Sequence, residues 1–501
     1  MLFYYTILLT VLAVMSSLSI SNAATPSFKI DYNPQLSLVK QYNGSQLYTM
    51  ISTGYADPIM VANLTGSHYE MGFSLGVFLA NEAYENYLSL FKTLVPNFLE
   101  NDALEVFLDW QWDDYLSKQF PQEFSDEING FNDGAVHSGF TQMGKAITRC
   151  IVLSSFPGDA GQNIEYLLIN ELKSEAFLEY IEKKGVPHGK LSPDSMQCSH
   201  FSVWGDRTVQ GEMYNGRNLD WIIDTGIAKH KLLTFFHPTT GGNSHVAVGF
   251  AGLFGAITGI SSKGIFVAES DNDSDLVTFD GMSWAHRLRY VMQYANNIED
   301  ALNIWKATNN TMGMNHMLSS AFEVDTVEHP AYALETMKGY TAFFPDNDTL
   351  ESAYIYVDPN TGDKTQMGYP IPQAVYRTNH GYDPLIRKYQ YQLPGPGDDT
   401  MIRYMLLYNA FEYYQSASIA IDELAAINIT STLGAKGNEG DFFDCSNANT
   451  GMNVISAAFH AANSTMYVAF EEGTGNTRIC ACCGTYVQVD LSLFFGQQQQ
   501  I

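Results

Sequence analysis

Apolar and polar positions change period several times along the chain. From Cys198 to Trp204 the period is two. Phe201 and Val203 point one way and His200 and Ser202 the other, which predicts a half-buried strand. Gly205-Asp206 and Gln210-Gly211 are turn chemistry, and a second strand climbs from Met213 to Trp221. A hairpin of this kind brings Arg217 and Asp220 back beside Cys198.

Elsewhere the pattern divides the chain roughly at that hairpin. Residues 24–60 read as short strands and loops. From Tyr69 to about Leu116 the pattern is helical and rich in aromatics, with Gly72 and Gly76 on one helix face, a spacing that permits close packing. Pro121 to Gly134 and Ile164 to Glu175 fit further helices. Residues 185–197 carry Gly, Pro and Ser and form the best linker, a segment suited to cleavage. Beyond the hairpin, strands are predicted over 232–236, 245–250, 256–260, 264–268, 331–336, 354–357 and 374–378. Helices are predicted over 284–294, 298–307 and 399–414. A second hairpin, 453–459 with 465–470, turns at Ala462-Asn463-Ser464. Antiparallel strands with paired helices fit an α+β layered protein.

Composition narrows the function classes. The 501 residues include 26 basic and 54 acidic ones, a net charge of −28, so no basic footprint exists for nucleic acid. Residues 1–23 read as a secretory signal: the apolar run from Phe3 to Val14 is too short to span a bilayer, and Ser21-Asn22-Ala23 supplies a small-residue cleavage site. Sequons begin at Asn43, Asn63, Asn272, Asn309, Asn347, Asn428 and Asn463, consistent with a glycosylated protein that is secreted or lysosomal.

The hairpin suits nucleophilic chemistry. A cysteine nucleophile needs a base, a charge that holds geometry and donors for an oxyanion. Were the bond before Cys198 cut, the new α-amine, with a reference pKa of about 7.7–8.0, could take the thiol proton. Asp220 could hold that amine, and Arg217 could orient Asp220 or a substrate carbonyl.

Cys198 with its short strand, followed by Gly216-Arg217-Asn218-Leu219-Asp220-Trp221, resembles the start of the mature catalytic chain in N-terminal nucleophile (Ntn) hydrolases. The branch it resembles holds acid ceramidase, N-acylethanolamine acid amidase, choloylglycine hydrolase and isopenicillin-N acyltransferase. The resemblance implies an αββα four-layer sandwich, with a mostly helical propiece or α chain over 24–197, a catalytic β chain over 198–496 and a low-complexity tail at 497–501. It implies Cys198 as nucleophile, Arg217 and Asp220 as catalytic, and autoproteolysis at Gln197–Cys198 into chains that stay associated. Thr378-Asn379-His380 is similar to a family segment whose Asn donates to the oxyanion. Arg403 resembles a late family arginine near the nucleophile. Glu269 and Ser270 stand where the family pattern calls for Asn, which leaves the second oxyanion donor unassigned.

The reaction implied is cleavage of an N-acyl amide, with ceramides or N-acylethanolamines as the expected substrates, in transient contact with a membrane surface. Acyl transfer, a phospholipase-B-like activity and a non-catalytic glycoprotein of this fold are the alternatives. No cofactor or metal is expected. Of the six cysteines, Cys445 is expected to bridge one of Cys480, Cys482 or Cys483. The spacing there is not that of the common zinc motifs.

Overall fold

A computed structural model of the chain describes residues 28–94, 105, 108–154, 197–221, 225–272, 274–390, 393–437 and 440–496. The expected signal, the 164–175 helix, the linker up to residue 196 and the 497–501 tail lie outside the described residues.

The N-terminal part lays down β1 (Lys29–Asp31), β2 (Gln35–Tyr42), β3 (Ser45–Ile51) and β4 (Ile59–Gly66). The helices α1 (His68–Leu94), α2 (Gln122–His137) and α3 (Ala146–Ser154) follow. The predicted hairpin is β5 (Gln197–Val203) with β6 (Tyr214–Asp220). Then come β7 (Lys231–Pro238), β8 (His245–Phe250), β9 (Thr258–Ser261), β10 (Ile265–Asp271), α4 (Trp284–Tyr294), α5 (Ile298–Lys306), β11 (Met314–Ser320), β12 (Ala331–Met337) and β13 (Tyr340–Phe344). A small ribbon of β14 (Ile355–Val357) and β15 (Lys364–Gln366) precedes β16 (Ala374–Arg377). The chain ends with α6 (Asp399–Ser416), α7 (Glu423–Leu433), β17 (Asn453–His460), β18 (Thr465–Phe470) and β19 (Thr485–Asp490).

Two sheets face each other. One has the order β1-β19-β18-β17-β6-β5-β16, the other β13-β12-β11-β10-β9-β8-β7-β4-β3-β2. β5 and β6 lie against β10, β5 also against β11, and β16 against β11 and β12. α6 and α7 pack on the first sheet, α1 and α4 on the second. The order is helix, sheet, sheet, helix, the four layers the resemblance implies.

The segment before Gln197 is not separate from the sheets. Its strands are structural members of both sheets: β1 pairs in parallel with β19, and β4 in parallel with β7. Residues 198–496 therefore do not form a complete domain, because each sheet takes strands from before Gln197. Parallel strands join through long connections, so local sequence cannot reveal such partners. A bidentate ion pair adds to the tie. Arg289 of α4 donates to both carboxylate oxygens of Glu127 on α2, at 2.7 and 2.6 Å, with both side chains buried. Its guanidinium lies 3.6 Å from the centroid of the Phe236 ring.

α1 and α2 touch backbone to backbone. A Cβ placed on Gly72, Gly76, Gly130 or Gly134 would come within 2.0–2.1 Å of a carbonyl oxygen on the opposite helix. The Gly72–Gly76 face read from the sequence thus meets a matching pair. Gly130→Ala is expected to force the helices apart and cost about 3 kcal/mol or more, the upper range for overpacking, measured by denaturant unfolding.

Candidate active site

The β5–β6 hairpin places the site. Cys198 opposes Leu219 and His200 opposes Arg217, so Cys198 and Arg217 are diagonal neighbours. The alternation is as read, but the strand is not half-buried: Cys198 to Val203 are all buried. Its polar face turns inward, between the sheets, where Ser202 donates to Ser319 at 3.1 Å and Ser270 contacts His200 at 3.2 Å. Its apolar face meets the helices, with Phe201 edge-on to Phe411 of α6. Local pattern shows which residues share a face, but not whether that face meets water or a second sheet.

Three of the expected residues converge on Cys198. Arg217 Nη2 donates to Cys198 Sγ at 3.3 Å. The Cys198 backbone N–H donates to Asn379 Oδ1 at 2.7 Å. Arg403, from the first turns of α6, donates to the Cys198 carbonyl and, at 3.0 Å, to Asn379 Oδ1. Asp399 in turn anchors Arg403, accepting from Nε at 2.7 Å. Asn379 follows β16, which pairs with β5, and gives an amide N–H to the Asp271 carbonyl at 2.8 Å. The side-chain oxygen of Asn379, and not only its amide N–H, is therefore engaged here: it holds the Cys198 backbone nitrogen.

Arg217 does not orient Asp220. Three positions apart on a strand, they leave opposite faces. Arg217 pairs instead with Glu269 of β10, both fully buried. Asp220 accepts from the Ala435 backbone N–H at 3.2 Å and from Asn453 Nδ2 at 2.7 Å. Glu269, Asn453 and Asp399 were not singled out as site residues. The departure from Asn at Glu269 was the one available signal, since a buried arginine requires a counter-charge.

Electrostatics separate the roles. Burial pushes the Cys198 thiol well above its ordinary value, with Arg217 opposing, so the group is held as a thiol. Burial raises the Asp220 carboxyl to about 6 against the pull of Arg403. Burial, with Arg217 and Arg377, holds His200 well below its usual range, and burial takes His380 to about 3, so neither imidazole serves as the base near neutral pH. Buried atoms without a hydrogen-bond partner include Arg217 Nε and Nη1 with Glu269 Oε2 on one face of β6, and Asp220 Oδ2 on the other.

Of the three partners left open for Cys445, the structure joins it to Cys483, with sulfurs 2.02 Å apart. Among the sequons, Asn43, Asn309, Asn347, Asn428 and Asn463 are exposed and Asn63 is half-buried. Asn272 is corrected: it is buried and its Nδ2 donates to Asn315 at 2.9 Å, leaving no room for a glycan. Among the described residues no helix is long and apolar enough to cross a membrane.

No family model matches the chain. It is similar to protein dcd1B of Dictyostelium discoideum, 23% identical over 259 residues, which is 50% of this chain and 45% of that protein. The chain therefore spans less than half of that relative's length. Among solved structures it is similar to a Caenorhabditis elegans ortholog of N-acylethanolamine-hydrolyzing acid amidase, with a TM-score of 0.34 and 13% identity over 53% of this chain and 93% of that one. It is also similar to the conjugated bile acid hydrolase of Clostridium perfringens, with a TM-score of 0.36 and 11% identity over 60% and 95%. The layer order above comes from this chain's own strand pairing.

Two expectations follow from these charges. A carboxyl raised in the folded state makes that state bind more protons than the unfolded one. Asp220 thus contributes stability that is present below about pH 3.9 and lost as pH rises through about 6. The loss is on the order of 3 kcal/mol, and Asp220→Asn is expected to abolish that part of the slope in urea unfolding across this window. Glu269→Gln leaves a buried guanidinium without its counter-charge, with an expected loss of about 3–5 kcal/mol in the same measurement.

Proposed function

We propose that the chain is a cysteine amidohydrolase of the Ntn class that cleaves an N-acyl amide through a thioester on Cys198. The observation that carries this reading is the convergence on one residue. Cys198 offers a buried thiol to Arg217 and its backbone nitrogen to Asn379, with the Asp220 carboxylate held on the neighbouring strand.

The chemistry follows in two stages. In the precursor, the Cys198 thiol adds to the Gln197 carbonyl and the peptide C–N bond breaks. The result is a thioester, with the proton passing to the departing nitrogen. Water then hydrolyses the thioester, leaving a carboxylate on Gln197 and a free α-amine on Cys198. In the mature enzyme that amine, gripped by Asn379, takes the thiol proton. The thiolate adds to the substrate amide, the amine leaves with the proton, and water releases the acid. Arg217 is positioned beside the sulfur to stabilise negative charge. Acyl transfer shares the same acyl-enzyme and differs only in the acceptor.

N-acylated lipids such as ceramides or N-acylethanolamines are the proposed substrates. A signal over 1–23 and the exposed sequons support a secreted or lysosomal setting. The two chains would stay together, because β1 pairs with β19, β4 with β7 and Glu127 with Arg289 across the cut.

Purified mature protein is expected to show a new N-terminus at Cys198, with both fragments co-eluting until denaturant is added. Cys198→Ala should remain one chain and lose turnover on a panel of N-acyl amides. An active protein still joined across 197–198 would refute the α-amine as base.

A further inference from the structure

The proposed chemistry does not use the second group of cysteines. Cys480, Cys482 and Cys483 lie on one tight turn before β19, and their sulfurs are all within 4.8 Å of one another. Cys483 carries the bridge to Cys445, while Cys480 and Cys482 are free and buried, with sulfurs 3.7 Å apart. The space they occupy is cleared by glycines. A Cβ on Gly451 would lie 2.8 Å from the Cys480 sulfur, and one on Gly434 would lie 2.6 Å from that of Cys482. A disulfide thus sits beside a thiol of its own chain, with a second thiol behind it.

We propose that this turn is a thiol–disulfide exchange site at which the bridge moves from Cys445–Cys483 to Cys480–Cys483. The Cys480 thiolate attacks the Cys483 sulfur, the Cys445–Cys483 bond breaks, and Cys445 leaves as a thiolate that takes up the proton Cys480 gave. One disulfide and one thiol are consumed and one of each is formed, so no outside oxidant or reductant is needed. The new bridge closes a C-x-x-C ring, Cys480-Ala481-Cys482-Cys483.

Cys480 is the attacking group on chemical grounds. Hydrogen bonding from Cys482 lowers its pKa first, against burial, and the charges of Arg478 and Lys436 add to this. Burial instead raises Cys482. A Cys482–Cys483 bridge would join adjacent residues, whereas the 480–483 spacing closes without that constraint.

The exchange would bear on Asp220. The Cys482 backbone N–H donates to Asn453 Oδ1 at 2.8 Å, and the same Asn453 holds Asp220 through Nδ2. The segment that Cys445 anchors runs back to Lys436, whose N–H meets the Asp441 carbonyl at 2.7 Å, and to Ala435, the other donor to Asp220. Releasing Cys445 frees one end of the segment that positions the carboxylate.

The test is disulfide mapping by mass spectrometry. Native protein is held in a neutral buffer containing reduced and oxidised glutathione, and its free thiols are then trapped with N-ethylmaleimide. A Cys480–Cys483 peptide with Cys445 alkylated is expected in about one molecule in a hundred or more, the level reached if the two bridges differ by no more than about 2.8 kcal/mol. Cys480→Ser is expected to lose that species and keep Cys445–Cys483. Finding Cys445–Cys483 as the sole bridge in the unaltered protein overturns the proposal, whether or not the variant folds. Migration to Cys482 overturns the choice of nucleophile. The readout needs no turnover, so its failure is separate from any failure of the Cys198 assignment.

Discussion

A full positive charge lies between two sheets, with none of its surface exposed. Arg217 can occupy that place only because Glu269 sits against it, and the pair sets the character of the surrounding layer. With a charge present, the neighbouring inward positions carry groups that satisfy one another: Ser202 with Asn215 and Ser319, His200 with Ser270, Asn315 with the Thr378 and His380 carbonyls. On the outer face Phe201 and Gly216 meet α6 and α7, while apolar pairs such as Phe266 with Phe459 and Phe250 with Phe470 also join the two sheets.

Two separate braces serve Cys198. Arg217 and Glu269 act on the sulfur. Asn379, Arg403 and Asp399 act on its backbone, through β16 and α6. Asp220 belongs to neither and is braced from β17 and the turn that ends α7. This division lets the sulfur and the nitrogen of one residue be held differently. The N-terminal part is bound into the same frame, because a sheet missing β4 would leave β7 with a bare edge.

Period-two alternation over 198–204 and a second strand over 213–221, separated by turn residues, were legible and defined the hairpin, since both signals are local. The closeness of Cys198 to Arg217 followed from that pairing alone. Asn379 and Arg403 were legible only through family resemblance, because nothing in their neighbours requires them to meet Cys198. Glu269 and Asn453 went unrecognised for the same reason. The short strands over 24–60 were legible, but the pairing of β1 with β19 and of β4 with β7 was not, because those partners lie far along the chain.

The sequence by itself determined which residues alternate, where the chain turns, which glycines let α1 approach a neighbour, and that a cysteine, an arginine and an aspartate share one hairpin. These depend on backbone geometry over a few residues. The tertiary structure decided which face of that hairpin is interior, which carboxylate neutralises Arg217, and which strands complete the sheets. Those outcomes depend on desolvation and on contacts between distant segments, and neither exists until the layers have closed on each other.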